Sequence, residues 1–367
     1  MIQSMPDYSL HLPAWTVGEK ALEKIREICP KGQTAVAIGG KKGTAAIRDK
    51  LEKAADGHVS ILDFLWYGGE ASQENIEMLS AQDAVQKADM IFAVGGGKAL
   101  DTCKALGFRI HKPVYAFPTI ASTCAACTAV AILYHPDGSF AAPCFLPGPP
   151  CHTFIDTEVI ASAPERYLWA GLGDTYAKFF ESTVSSRGDE LAYYHALGVN
   201  VSRSCLEPLL QYGEKAFRDH KEKKVTEELT QVILTIIVTT AVASILLTAD
   251  RIIDYNTGLA HAVFYALTAF PELHLERDHL HGEVVGFGVL ILLLTDGQED
   301  MFRKMYDFNR SVGLPTKLDH IGVTEEDLSK VLPKVLSMPD IAHNPYPITL
   351  DMLSGAFRKL QDTNKKN

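Results

Sequence analysis

The chain has 367 residues, 47% hydrophobic and 22% charged. That is enough for two hydrophobic cores, because single cores stop growing at about 250–300 residues. A net charge of −10 and a pI near 5.7 argue against non-specific binding to nucleic acid or to an anionic membrane, both of which need basic patches. The start, MIQSMPDYSLHLP, lacks the basic and then apolar pattern of a secretory leader, and seven cysteines in such a chain fit reduced thiols in a cytoplasm.

Taken in chain order, Thr34 to Ile38 (TAVAI) reads as a buried strand and Thr44 to Ala55 as a helix. Val59 to Phe64 is a second strand and Ser72 to Lys87 a second helix. Met90 to Val94 (MIFAV) is a third strand, running into a glycine cluster and a further helix. Val114 to Pro118 is a fourth, and His152 to Asp156 (HTFID) is strand-like. Strands separated by helices imply a parallel, Rossmann-like sheet with helices on both faces. Beyond about Pro164 the patterns are helical. The expected architecture is an α/β N-terminal domain (residues 1–160) followed by an all-α C-terminal domain (161–367). Ligands of such sheets gather at the carboxyl ends of the strands, so the active site is expected in the cleft between the domains. Val232 to Ala249 (VILTIIVTTAVASILLTA) is long enough to suggest a membrane span, but its recurring Thr and Ser and its lack of aromatic or basic anchors predict a buried helix.

Gly95-Gly96-Gly97-Lys98 lies between a strand and a helix, where glycines let the backbone approach a diphosphate and the helix presents free N–H groups. It is neither the usual dinucleotide fingerprint nor a P-loop, and a glycine cluster after a strand is often only a tight turn. Downstream, Phe117 to Tyr134 reads FPTIASTCAACTAVAILY. Asp174 in WAGLGDTYAKFFE, His261 in GLAHAVFYALT and His281 in HLHGEVVGFGVL offer one carboxylate and two imidazoles, a donor set for Zn²⁺ or Fe²⁺ that leaves positions open to a substrate oxygen. Each alone reads as a helix cap or a hydrogen-bonded histidine; His274 and His279 are weaker candidates, expected to be exposed.

In combination these strings resemble the iron-containing (group III) alcohol dehydrogenase superfamily, in its glycerol dehydrogenase branch. GGGKALDTCK matches the superfamily signature G-G-G-x-x-x-D-x-x-K, shared with dehydroquinate synthase-like relatives and their two-domain architecture. The resemblance implies that Gly95, Gly96, Gly97, Lys98 and Asp101 serve the cofactor diphosphate region. It also implies that Thr119, Ser122, Thr128, Val130 and Tyr134 line the nicotinamide, and that Asp174, His261 and His281 hold the metal. Many iron-dependent members carry a histidine one turn after the aspartate; here Lys178 stands there, favouring the three-ligand zinc-type site. A homo-oligomer is also implied.

Two departures bear on substrate and cofactor. NAD-using relatives place an aspartate at the end of the first strand; here Gly40 is followed by Lys41 and Lys42, which predicts NADP(H) over NAD(H) unless the lysines are only solvated. Glycerol dehydrogenases carry an S-T-D-A-P-C segment; this chain reads Ser122-Thr123-Cys124-Ala125-Ala126-Cys127, so Cys124 replaces the aspartate that contacts the polyol. A neutral residue stops repelling an anion, and the segment is close to that of bacterial hydroxycarboxylate dehydrogenases. The favoured expectation is hydride transfer between a nicotinamide cofactor and a 2-oxo acid/2-hydroxy acid pair, with Cys124 in the substrate site. NAD-dependent glycerol oxidation is the alternative, ahead of a dehydroquinate synthase-like lyase or a non-catalytic homologue. A structural zinc on Cys124-x-x-Cys127 would need a second ligand pair, and none has suitable spacing; a redox role is also disfavoured, since a thioredoxin-type motif opens a helix after a strand with an exposed first cysteine.

Overall fold

A computed structural model describes residues 8–366, so the reading of the leader rests partly on residues outside that range. The chain divides into two compact units. The first comprises Ser9–Glu165 together with Arg218–Val242. The second comprises Arg166–Phe217 and the chain from Ala243 onward.

The first unit is built on a six-stranded sheet of β1 (Trp15–Gly18), β2 (Thr34–Gly39), β3 (Ser60–Trp66), β4 (Met90–Gly95), β5 (Val114–Pro118) and β8 (His152–Asp156). The order is β1-β8-β5-β4-β2-β3, and every pairing is parallel. The central strands β4, β5 and β8 are buried along their whole length, which is why their sequences are apolar runs rather than alternations; the edge strands β1 and β3 keep exposed residues. Phe92, Phe117 and Phe154 line up across neighbouring strands at ring separations of 4.9 and 5.0 Å.

The sequence reading omitted β1 and the antiparallel hairpin of β6 (Val130–Tyr134) and β7 (Phe140–Phe145). The hairpin is fastened to the Gly97–Ile110 helix. Asp101 accepts the Ile132 amide at 3.1 Å and pairs with Lys104 at 2.8 Å, and Lys104 donates to Thr128 Oγ1 and the Val130 carbonyl. Two helices also differ from expectation. The Ser72–Lys87 stretch is two helices, Gln73–Ser80 and Asp83–Lys87, because Gln82 is extended; the first piece buries Ile76 and Leu79, the second Val85. The helix expected from Thr44 begins at Lys41, since Gly40 takes the extended cap conformation. The Glu227–Leu247 helix is long and apolar enough to cross a membrane, yet its most apolar window is 72% buried within the protein, as in a core helix.

Among the described residues, every regular element of the second unit is a helix. Three of its helices matter most: the aspartate helix (Glu165–Ser185), the Leu259–Thr268 helix and the His281–Thr295 helix. Glycine sets how closely they approach. A β-carbon at Gly173 would lie 2.1 Å from the Gly282 carbonyl, and one at Gly282 would lie 2.0 Å from the Ala170 carbonyl. At Gly288 it would meet the Ala260 carbonyl at 2.5 Å. At these three glycines backbone therefore packs directly on backbone where the His281–Thr295 helix meets the other two.

Gly282→Ala is expected to lower the thermal midpoint by several degrees, since overpacking costs about 1–3 kcal/mol and no flexible side chain can yield. Gly355→Ala, an exposed helix position with no atom near the added methyl, is expected to be neutral or stabilising by about 0.5–1 kcal/mol. Thermal unfolding of both variants checks the contrast.

Candidate metal centre and cofactor-binding turns

The candidate residues fall into two groups, one in each unit. In the second unit Asp174 comes from the middle of the aspartate helix, His261 from the first turn of its helix and His281 from the first position of its own. One ligand atom from each lies within 4.8 Å of the others. Asp174 Oδ1 is 3.7 Å from His261 Nε2 and 3.4 Å from His281 Nε2. A tetrahedral ion with bonds of about 2.0–2.1 Å keeps its ligand atoms roughly 3.3–3.4 Å apart, close to the two separations measured from Asp174.

Tautomer is fixed from behind. Glu181, fully buried, approaches His261 Nδ1 at 2.6 Å with one oxygen, while the other accepts the Gly258 and His261 amides, both at 2.9 Å. Nδ1 therefore carries the proton toward Glu181 and Nε2 faces Asp174, an arrangement that supports ligation. Burial alone would push the Asp174 carboxyl up, but the hydrogen bond to His281 and the charges of His261 and Lys178 outweigh it and hold the group below the usual range. For His261, burial pulls downward, yet Glu181 and Asp174 prevail and raise it.

Glu181 and Lys178 had no place among the sequence candidates as working parts. The signal was available: Asp174, Lys178 and Glu181 stand at i, i+4 and i+7, one face of one helix. Glu283, of the H-G-E string, is not near a ligand role; it accepts from His279 Nδ1 at 2.7 Å and from the Leu280 amide at 3.0 Å, closing the start of the His281–Thr295 helix. His279 is thus half-buried and bonded, whereas His274 is exposed.

In the first unit the turns after β2 and β4 adjoin. A β-carbon on Gly95 would lie 3.7 Å from the Gly40 nitrogen, and one on Gly43 would lie 2.9 Å from Thr119 Oγ1. Gly95 has φ +131°, a conformation that suits glycine, and Gly96 caps the following helix against Ile120, whose Cδ1 would be 2.5 Å from an added methyl. Gly40, Gly95, Gly96, Gly97 and Thr119 are thereby brought together at the carboxyl ends of adjacent strands. Lys98 pairs with Glu70 and lies 5.0 Å from the Tyr134 ring centre, and Lys41 lies 4.7 Å from that of Trp66.

Asp101, Thr128 and Val130 are placed differently from the rest of the cofactor list. Their polar groups are spent on one another through Lys104, and Asp101 and Thr128 are buried. Ser122 and Cys124 are half-buried in the turn after β5, where the Cys127 amide donates to the Cys124 carbonyl at 3.0 Å. Cys127 points into the core toward Thr153 at 3.4 Å, and burial pushes its thiol up to about 12, which removes the reactive character a redox pair needs.

Residues 13–147 match the family described as iron-containing alcohol dehydrogenase. A glycerol dehydrogenase of Thermotoga maritima is 39% identical over 292 residues, covering 77% of each chain. Hydroxycarboxylate dehydrogenase A of Escherichia coli is 31% identical over 334 residues, covering 89% of each. The crystal structure of a probable glycerol dehydrogenase from Sinorhizobium meliloti superposes with a TM-score of 0.80 at 27% identity, covering 98% of this chain and 99% of that one. On the strength of this similarity and of the parallel sheet and helical region that carry it, the chain belongs to the iron-containing alcohol dehydrogenase family, as an NAD(P)-dependent oxidoreductase acting on CH–OH groups.

Proposed function

We propose that the chain interconverts a small polyol and its carbonyl form, with glycerol the favoured substrate, using a divalent ion on Asp174, His261 and His281. The observation that carries this reading is the convergence of those donors on one point with Glu181 fixing the His261 tautomer. A bound ion would supply Lewis acidity toward the substrate oxygen, and the nicotinamide would give or take the hydride. The chain's own residues hold the donors in place: Glu181 orients His261, and the Glu283 cap fixes the helix start on which His281 stands.

Sequence departures alone favour a 2-oxo acid; the relatives reverse that order, since the Thermotoga glycerol dehydrogenase is more similar than the hydroxycarboxylate enzyme. The 2-oxo acid is retained as a second reading because Cys124 offers no carboxylate to a polyol. One matched assay separates them. NAD⁺ and NADP⁺ are offered with glycerol, and NADH and NADPH with 2-oxobutanoate and dihydroxyacetone. Glycerol turnover exceeding that of the 2-oxo acid supports the main reading; the opposite ranking replaces it.

The preference for NADP(H) is also proposed. Two ammonium groups in the first turn of a helix oppose its dipole and become favourable when a phosphate joins them. A reducing, cytoplasmic setting and a homo-oligomer remain part of the proposal; light scattering after gel filtration measures the latter.

Asp174→Asn and His261→Ala are expected to abolish stoichiometric metal binding, measured by elemental analysis, and with it turnover. Glu181→Gln is expected to weaken zinc about 10–100-fold, read by chelator competition. A β-carbon at Gly40 meets only the Tyr67 ring, at 3.6 Å, and aspartate is a favoured helix cap, so Gly40→Asp is expected to fold. It is expected to cut kcat/KM for NADPH by about tenfold or more while sparing NADH, through repulsion of the 2′-phosphate.

A further inference from the structure

We infer that Lys178 is a positioning residue for the metal centre: it fixes the loop that delivers His261 and supplies the positive charge that two buried carboxylates require. The inference rests on reading Asp174, His261 and His281 as the ligand set.

Lys178 is only 6% exposed and lies on the same helix face as Asp174 and Glu181, between them. Its Nζ donates to both the backbone carbonyl and Oδ1 of Asn256, the latter at 2.7 Å. Two residues further on, the Gly258 amide is held by Glu181, and Gly258 caps the helix in which His261 follows. The aspartate helix therefore grips this loop at two points one turn apart. A β-carbon on Gly258 would come within 3.2 Å of Glu181 Cγ, so the loop also lies close against that helix. The Asn256 amide donates to the Ile253 carbonyl at 2.8 Å, closing a turn just before the Gly258 cap.

Charge gives the second half of the argument. Asp174 and Glu181 flank Lys178 on the helix, and burying two carboxylates without a cation is costly. A histidine at this position could offer a ligand nitrogen, but it lacks the reach of the four-carbon stem and the two hydrogen bonds that the Lys178 ammonium makes to Asn256. The chain gives up a possible fourth ligand in exchange for a fixed third one.

The test uses metal-free full-length protein and zinc, with a chromogenic chelator in competition. Lys178→Met is expected to weaken zinc by about tenfold or more, as loss of outer-shell partners does, while Lys178→Arg stays within a few-fold of the wild type. Asn256→Ala, which keeps the carbonyl but loses Oδ1, should fall between them and gives a reading even if Lys178→Met fails to fold. The unfolding midpoint of each metal-free protein is recorded alongside, since a merely structural role would lower that midpoint and leave zinc affinity unchanged. Wild-type zinc affinity in both Lys178→Met and Asn256→Ala overturns the inference. Zinc binding that survives Asp174→Asn unchanged overturns the ligand reading itself, and this inference with it.

Discussion

The Glu181 carboxylate has no access to solvent, so each of its oxygens must meet a donor inside the protein. The donors it meets are the His261 imidazole and the amides of Gly258 and His261. Satisfying one buried acid thus fixes a loop, a helix start and an imidazole orientation at once. Each depends on the others: a shift of the Leu259–Thr268 helix would strand the carboxylate, at a cost of about 3–5 kcal/mol for breaking a buried charged pair. The position of the histidine is therefore enforced by electrostatics as well as by packing.

Backbone packing at glycine supplies the complementary constraint. Side chains between helices can change rotamer and absorb a displacement, whereas a carbonyl against a Cα cannot. Gly173, Gly282 and Gly288 place such contacts on both sides of the His281–Thr295 helix, close to His281 itself. These contacts leave little room for the histidine helices and the aspartate helix to shift against one another.

Much of this was legible in sequence, and the pattern of success is physical. The central strands were readable because a sheet covered on both faces demands unbroken apolar runs, as in MIFAV. The glycine turn and the three ligand candidates stood out because their residue types are costly elsewhere. Residues whose chemistry is spent internally were harder to read. Asp101 stood out as part of the glycine signature, while the fold adds that its carboxylate fastens the Val130–Phe145 hairpin. Glu181 and Lys178 were visible as letters one and two turns from Asp174, yet their partners, His261 and Asn256, are about eighty residues away in the chain. The edge strand β1 was missed because its exposed residues lack the apolar run that marked its neighbours.

Arg218–Val242 groups with the first unit although it follows more than fifty residues of the second. His220 reaches back to the Ile160 carbonyl at 3.0 Å, and nothing in the composition of the segment announces that return. The order of synthesis gives the arrangement its consequence. On the ribosome the sheet emerges early, but its unit stays incomplete until residue 242 has been made, by which time part of the helical unit is already outside the tunnel. The sheet's unit is therefore completed only by chain made after part of the helical unit, and a fragment cut near residue 165 would lack the segment that completes it.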